Sequence, residues 1–135
     1  MKKGKKMERY KVILVDDEAE VIDMIEKKIH WNDLGFEVAG SATNGVKALE
    51  LVEKLQPDVV LTDIKMPYMD GLELSRRLNQ EYPNIYIMLC TGFDEFEYAK
   101  EAVHLEIKEY MLKPVNATEL SESLTTVSYT HLTLP

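Results

Sequence analysis

The sequence predicts an α/β domain: a doubly wound, five-stranded parallel sheet with helices on both faces. Three observations carry this. Five apolar runs of strand length alternate with amphipathic blocks of helix length along most of the chain. The runs are rich in Val, Ile and Leu with little polar alternation, as strands covered on both faces require. The 135 residues suit one hydrophobic core and leave little room for a second. Parallel strands joined by helices cross over right-handed, so five such units make an open sheet with two covered faces.

Val12-Ile13-Leu14-Val15 is the first strand, and a helix follows with Val21, Ile22, Ile25 and Ile29 on one stripe. Phe36–Ala42 is the second. Asn44-Gly45 then opens a helix whose inner face is expected to carry Val46, Leu49, Val52 and Leu55, and Pro57 ends it. Val59–Thr62 is the third strand, after which Pro67 and Gly71 mark a loop before a helix presenting Leu74 and Leu78, stopped by Pro83. Ile85–Cys90 is the fourth strand, with Asp94 and Glu97 at the start of a helix over Glu95–Val103. Glu109–Leu112 is a short fifth strand. Asn116 and Glu119 open a last helix with Leu120, Leu124 and Val127 inward.

The ends fit this pattern poorly. Residues 1–8, with Lys2, Lys3, Lys5 and Lys6, read as a flexible basic leader, and residues 9–127 as the domain. Residues 128–135 lack helical periodicity and are expected to be a disordered or foreign tail. A formal charge of −8 argues against nucleic-acid binding by this piece, because phosphate contacts need clustered Lys and Arg. The longest apolar runs are too short to cross a bilayer, so a cytoplasmic protein without membrane contact is expected. Cys90 is the only cysteine, which excludes an internal disulfide and a cysteine zinc site. It should be inert in its strand, Trp31 should be a packing residue, and His30, His104 and His131 are too scattered to form a site.

Sites in such sheets form beyond the carboxyl ends of the strands. Asp16 and Asp17 follow the first strand and Asp63 the third. At about 4 Å and an effective dielectric of about 20, each carboxylate pair would repel by roughly 4 kcal/mol. A hard divalent ion such as Mg²⁺, which takes oxygen ligands and keeps several waters, compensates naturally. Asp-Asp-Glu after a strand equally suits the acid-rich first turn of a helix, and a lone Asp often ends a strand. Thr91 and Lys113 end the fourth and fifth strands, adding a hydroxyl donor and a positive charge to the same rim, a complement for phosphate. Pro114 is expected to aim the lysine inward by a tight turn, in which an X-Pro bond can be cis or trans.

Leu14-Val15-Asp16-Asp17-Glu18, Leu61-Thr62-Asp63-Ile64-Lys65-Met66-Pro67 with Asp70-Gly71, Thr91-Gly92 and Lys113-Pro114 resemble, in order, the signatures of response-regulator receiver domains of two-component signalling. The resemblance runs from about Tyr10 to Leu124. It implies a flavodoxin-like strand order 2-1-3-4-5, with Asp63 as phosphoacceptor. It further implies that Asp16, Asp17, Asp63 and the main-chain carbonyl of Lys65 hold Mg²⁺ or Mn²⁺, that Thr91 and Lys113 contact the phosphoryl group, and that Tyr110 is a rotating switch. Gly92-Phe93-Asp94-Glu95-Phe96-Glu97-Tyr98-Ala99 and Trp31-Asn32-Asp33-Leu34-Gly35-Phe36 are similar to the receivers heading regulators with an AraC-type helix-turn-helix region.

By that resemblance the chain is a regulatory phosphoacceptor rather than an enzyme with turnover. Its donor is a sensor histidine kinase or a small molecule such as acetyl phosphate. Phosphorylation would change the surface formed by the fourth helix, fifth strand and fifth helix, promote a homodimer there and control a DNA-binding output region absent from this sequence. Phe93, two residues past Thr91, would shield the acyl phosphate from water. Two rivals share parts of the pattern. An FMN carrier needs a Ser/Thr/Gly-rich loop where Asp16-Asp17-Glu18 stands, and an aspartyl phosphatase usually carries Asp-x-Asp on its first strand.

Overall fold

The computed structural model describes residues 9–100 and 107–132, apart from the side chains of Phe93, Phe96 and Tyr98. The leader at 1–8 and the last residues, 133–135, lie outside the described residues, as do Val103 and His104. The chain runs β1 (Tyr10–Val15), α1 (Ala19–Lys28), α2 (Trp31–Leu34), β2 (Phe36–Ala42), α3 (Gly45–Leu55), β3 (Val59–Asp63), α4 (Gly71–Glu81), β4 (Tyr86–Thr91), a 3₁₀ turn (Phe93–Glu95), α5 (Phe96–Lys100), β5 (Glu109–Leu112) and α6 (Ala117–Thr130). All strands pair in parallel in the order β2-β1-β3-β4-β5. This is the expected doubly wound sheet with strand order 2-1-3-4-5.

Alternation along the strands divides the core in two. Val12, Leu14, Leu61 and Cys90 pack toward α1 and α6, against Ile22, Ile25, Leu120 and Leu124. Ile13, Val15, Val60 and Ile87 face the other way, against Val52, Leu74 and Leu78 of α3 and α4. Strands buried on both faces need no polar positions except at their ends.

Helix starts follow local chemistry. Asn44, Asp70 and Asn116 each accept, through a side-chain oxygen, the N–H three residues on, at 2.8–2.9 Å. Those bonds fill donors that the first helical turn leaves without a partner.

Four readings are corrected by the structure. The short helix α2 was not expected; it forms because Trp31 is buried, its Nε1–H donates to Glu26 O at 3.0 Å, and Gly35 closes the turn at φ 86°. Val46 is 43% exposed, and α3 buries Ala48 and Val52 instead. Each residue turns roughly 100° about the helix, so a face centred on Ala48 and Val52 leaves Val46 in solvent. The helix expected over Glu95–Val103 starts as a 3₁₀ turn and is α-helical only from Phe96.

Finally, α6 continues to Thr130, past the expected boundary at residue 127. Thr125, Ser128 and Thr130 donate their hydroxyls to carbonyls of their own helix, and Leu132 packs on the core beyond it. Trp31 and Cys90 are buried, as their packing roles required.

Candidate functional site

Register decides who meets at the rim. Val15 pairs with Thr62, so Asp16 and Asp63, the next residue of each segment, lie side by side. Asp63 pairs with Cys90 and Thr91 with Leu112, which brings Thr91 and Lys113 to the same edge. Ligand oxygens of Asp16, Asp17 and Asp63 all lie within 4.8 Å of one another. Asp16 and Asp63 are 5% and 4% exposed, while Asp17 is exposed.

Lys113 Nζ stands 2.9 Å from Asp63 Oδ1 and 3.5 Å from Asp16 Oδ2. The lysine is placed from behind by its backbone N–H, which donates to Thr91 O at 2.8 Å. The Lys113–Pro114 peptide is cis. Asp63 Oδ1 also accepts the Ile64 N–H at 2.8 Å, and Asp16 Oδ1 accepts the Glu18 N–H at 2.9 Å. Both acids are thereby fixed by the loops that follow them. Thr91 is fully buried, and its Oγ1 has no hydrogen-bond partner among the described residues. A buried hydroxyl left unpaired costs free energy, so this one is a donor in waiting.

The loop after β3 closes tightly. Gly71 N–H donates to Ile64 O at 2.6 Å, and a Cβ on Gly71 would lie 2.0 Å from Asp63 O. Only glycine permits that approach, which explains the Asp70-Gly71 pair in physical terms. Lys65 sits on this loop two residues past Asp63, with its side chain exposed. Tyr110, on β5 opposite Leu89, is half-buried against Ile64, Leu89 and Ala99. The Phe93 side chain lies outside the described residues.

The electrostatics follow from burial. Desolvation pushes the Asp63 carboxyl above its ordinary pKa, against the hydrogen bond and charge of Lys113. Asp16 is raised chiefly by burial and further by the charges of Asp63 and Asp17. Burial alone would lower the Lys113 ammonium, yet the hydrogen bond and charge of Asp63, then Asp16, leave it raised. Cys90, behind the site, is pushed up to about 12 by burial. Two buried acids and one ammonium leave the pocket short of positive charge, the condition under which oxygen ligands take a hard divalent cation.

Glu95 was missed as a site residue. Its Oε1 accepts the Gly92 N–H at 3.1 Å, and its charge adds to the rise at Asp63. The signal available was the three-residue spacing Gly92 to Glu95, the reach of a carboxylate folding back on a loop N–H. A cavity of about 270 Å³ adjoins the acids, walled by Ile22, Ile25, Leu61, Cys90 and Val115.

A parallel sheet of order 2-1-3-4-5, with acids, a hydroxyl and a lysine gathered at its carboxyl edge, defines an open doubly wound α/β class whose site lies beyond its strand ends. The response regulator receiver domain model matches residues 12–125, and the chain belongs to that family. It is 44% identical over 115 residues to the transcriptional regulatory protein YesN of Bacillus subtilis, covering 85% of this chain and 31% of that protein. It is 34% identical over 111 residues to the transcriptional regulatory protein HptR of Staphylococcus aureus, covering 82% of this chain and 43% of that protein. The chain thus spans less than half the length of these curated relatives. Among solved structures, it is similar to the REC domain of AraT, a response regulator from Geobacillus stearothermophilus, with TM-score 0.83, 40% identity, and 87% and 92% of the two chains covered. A two-component transcriptional regulator AraC from Clostridium phytofermentans ISDg matches with TM-score 0.83, 32% identity, and 91% and 95% covered.

Proposed function

We propose that this domain is a phosphoacceptor switch in which Asp63 takes a phosphoryl group from the phosphohistidine of a sensor kinase, or from a small donor such as acetyl phosphate. The observation that carries the reading is Lys113 Nζ at 2.9 Å from Asp63 Oδ1, beside a buried Thr91 hydroxyl with no partner among the described residues. Asp63 Oδ attacks phosphorus as the bond from phosphorus to the donor nitrogen or oxygen breaks, and the donor leaves with the bonding pair. Lys113 transfers its attraction from the carboxylate to a phosphoryl oxygen, and Thr91 Oγ1–H donates to another.

Asp16, Asp17 and Asp63, with the main-chain carbonyl of Lys65, would hold Mg²⁺ or Mn²⁺. The three carboxylates within 4.8 Å fit a hard cation of this kind. Bound there, the ion would neutralise charge on the transferring group. The chain's own residues orient the acceptor, exclude water and supply the donors. It assists its own modification without being a turnover enzyme.

Movement of Thr91 toward the phosphoryl group frees space for Tyr110 to turn, which alters the surface of α5, β5 and α6. These correspond to the fourth helix, fifth strand and fifth helix counted from the sequence, α2 having been added. The phosphorylated form dimerises through that surface and governs a DNA-binding output region of the AraC type, as the names of similar proteins suggest. The net charge of −8 gives this domain no nucleic-acid contact of its own. Among the described residues no helix is long and apolar enough to cross a membrane, which suits a cytoplasmic switch.

Incubation with acetyl phosphate and Mg²⁺, followed by intact mass, tests the reading. A gain of one phosphoryl group that Asp63→Asn abolishes is the expected result. No gain, or a gain retained by Asp63→Asn, overturns it.

A further inference from the structure

The turn after β4 carries an acid that the proposed transfer leaves unused. Glu95 Oε1 accepts the Gly92 N–H at 3.1 Å, and the Glu95 N–H donates back to Gly92 O at 3.0 Å. This reciprocal closure is the logic of a capping box, applied to a loop. A Cβ added to Gly92 would meet Asp94 Oδ1 at 3.2 Å and Glu95 Oε1 at 3.6 Å, so the loop is wrapped closely around that residue.

The placement matters because Gly92 directly follows Thr91. Two successive donors therefore stand at the end of β4: the Thr91 hydroxyl, buried and without a partner among the described residues, and the Gly92 N–H, filled by a carboxylate. Glu95 is near enough for its negative charge to act on Asp63. A carboxylate oxygen and a phosphoryl oxygen seek the same kind of donor, a backbone N–H. A phosphoryl group brings a charge of about −1.5 to −2 to Asp63. It would repel Glu95 and attract the Gly92 N–H together.

We propose that Glu95 is a resting-state latch, whose carboxylate occupies the Gly92 N–H that a phosphoryl group on Asp63 takes over, and which must swing away before the loop closes on that group. This rests on Asp63 being the phosphoacceptor. Glu95 itself is not modified: the bond formed is still from Asp63 to phosphorus, and Glu95 only exchanges a hydrogen bond for water. It is a positioning residue acting through the loop. Its presence slows acceptance and favours the unphosphorylated form.

The test compares wild type, Glu95→Gln and Glu95→Ala in the full chain, with acetyl phosphate and Mg²⁺, by intact-mass time course and by the amide resonance of Gly92. Glu95→Ala is expected to accept roughly three- to tenfold faster, the net worth of one ordinary hydrogen bond exchanged with water. Glu95→Gln, which keeps an acceptor oxygen without the charge, falls between. In the resting protein the Gly92 amide proton moves upfield in Glu95→Ala. After loading with beryllium fluoride, a phosphoryl mimic, it coincides in all three proteins.

A Glu95→Ala rate equal to or below wild type overturns the latch, and so does a Gly92 amide that does not respond to that substitution. If wild type takes no phosphoryl group, the phosphoacceptor reading falls and the latch with it. A latch that fails alone leaves wild type phosphorylated normally.

Discussion

Strand β1 and the residue that follows it make opposite uses of burial. Ile13 is fully buried among Val60, Leu74 and other apolar neighbours, where leaving water stabilises the fold. Asp16, three residues on, is almost as buried, yet its burial costs free energy and raises its proton affinity. The same contrast recurs on β3 between Val60 and Asp63. The body of the sheet carries the stability, and its carboxyl rim spends part of it to hold charges in a strained balance. Such a rim would respond to a cation or, on the proposed function, to a phosphoryl group, because its resting state is incompletely compensated.

The largest expected effect lies in the body. Ile13→Ala should cost about 2–5 kcal/mol, from lost transfer energy and the cavity left behind. Denaturant unfolding should register this whether or not Mg²⁺ is present. A loss that Mg²⁺ rescued would break the division between body and rim.

Next comes Lys113→Met, which leaves Asp16 and Asp63 without their ammonium and should destabilise the metal-free domain by about 1–3 kcal/mol at neutral pH. The lysine's raised pKa means that its stabilisation is fully present below its ordinary 10.5 and is lost as pH rises through the folded value. Millimolar Mg²⁺ should restore much of the Lys113→Met loss, read as a recovered melting temperature. Absence of any recovery would show that the lysine's role is packing rather than charge.

The smallest effect has the opposite sign. Asp16→Asn should raise metal-free stability by about 1 kcal/mol while weakening Mg²⁺ binding, because one buried carboxylate is removed from its like-charged neighbours. Asp16 and Asp63 bind protons more tightly folded than unfolded. Their contribution to stability therefore grows as pH falls from neutral through the raised values, and levels off below the ordinary 3.8. In Asp16→Asn that pH dependence should flatten. Melting curves in chelator from about pH 3.5 to about pH 8, spanning the carboxylate range, check both statements. A lower metal-free melting temperature in Asp16→Asn would contradict the charge-crowding account.

Much of this was legible without coordinates, for reasons that differ by residue. Val12–Val15 and Val59–Leu61 declare a strand buried on both faces by composition alone, since no polar residue interrupts them. Asp16, Asp63, Thr91 and Lys113 each sit just where such a run ends, and strand ends in parallel sheets share one edge. Val46 was misjudged because a helix face is set by what it packs against, and spacing alone does not say where the stripe is centred. Helix α2 is too short to leave a periodic signal and depends on Trp31 finding a core. The extension of α6 through Thr130 rests on hydroxyl-to-carbonyl bonds and on Leu132 packing, neither of which hydrophobic periodicity records.

Taken by itself, then, the order of residues determined the class of sheet, its two covered faces and the chemical types standing at its carboxyl edge, because local propensity and apolar periodicity act over a few residues. Only the tertiary structure decided that Lys113 touches both Asp63 and Asp16, that the Thr91 hydroxyl is left unpaired among the described residues, and that Glu95 fills the Gly92 N–H. Those outcomes depend on strand register and loop closure. They join residues up to about a hundred positions apart to ångström precision, and a single-residue slip would send each side chain to the other face.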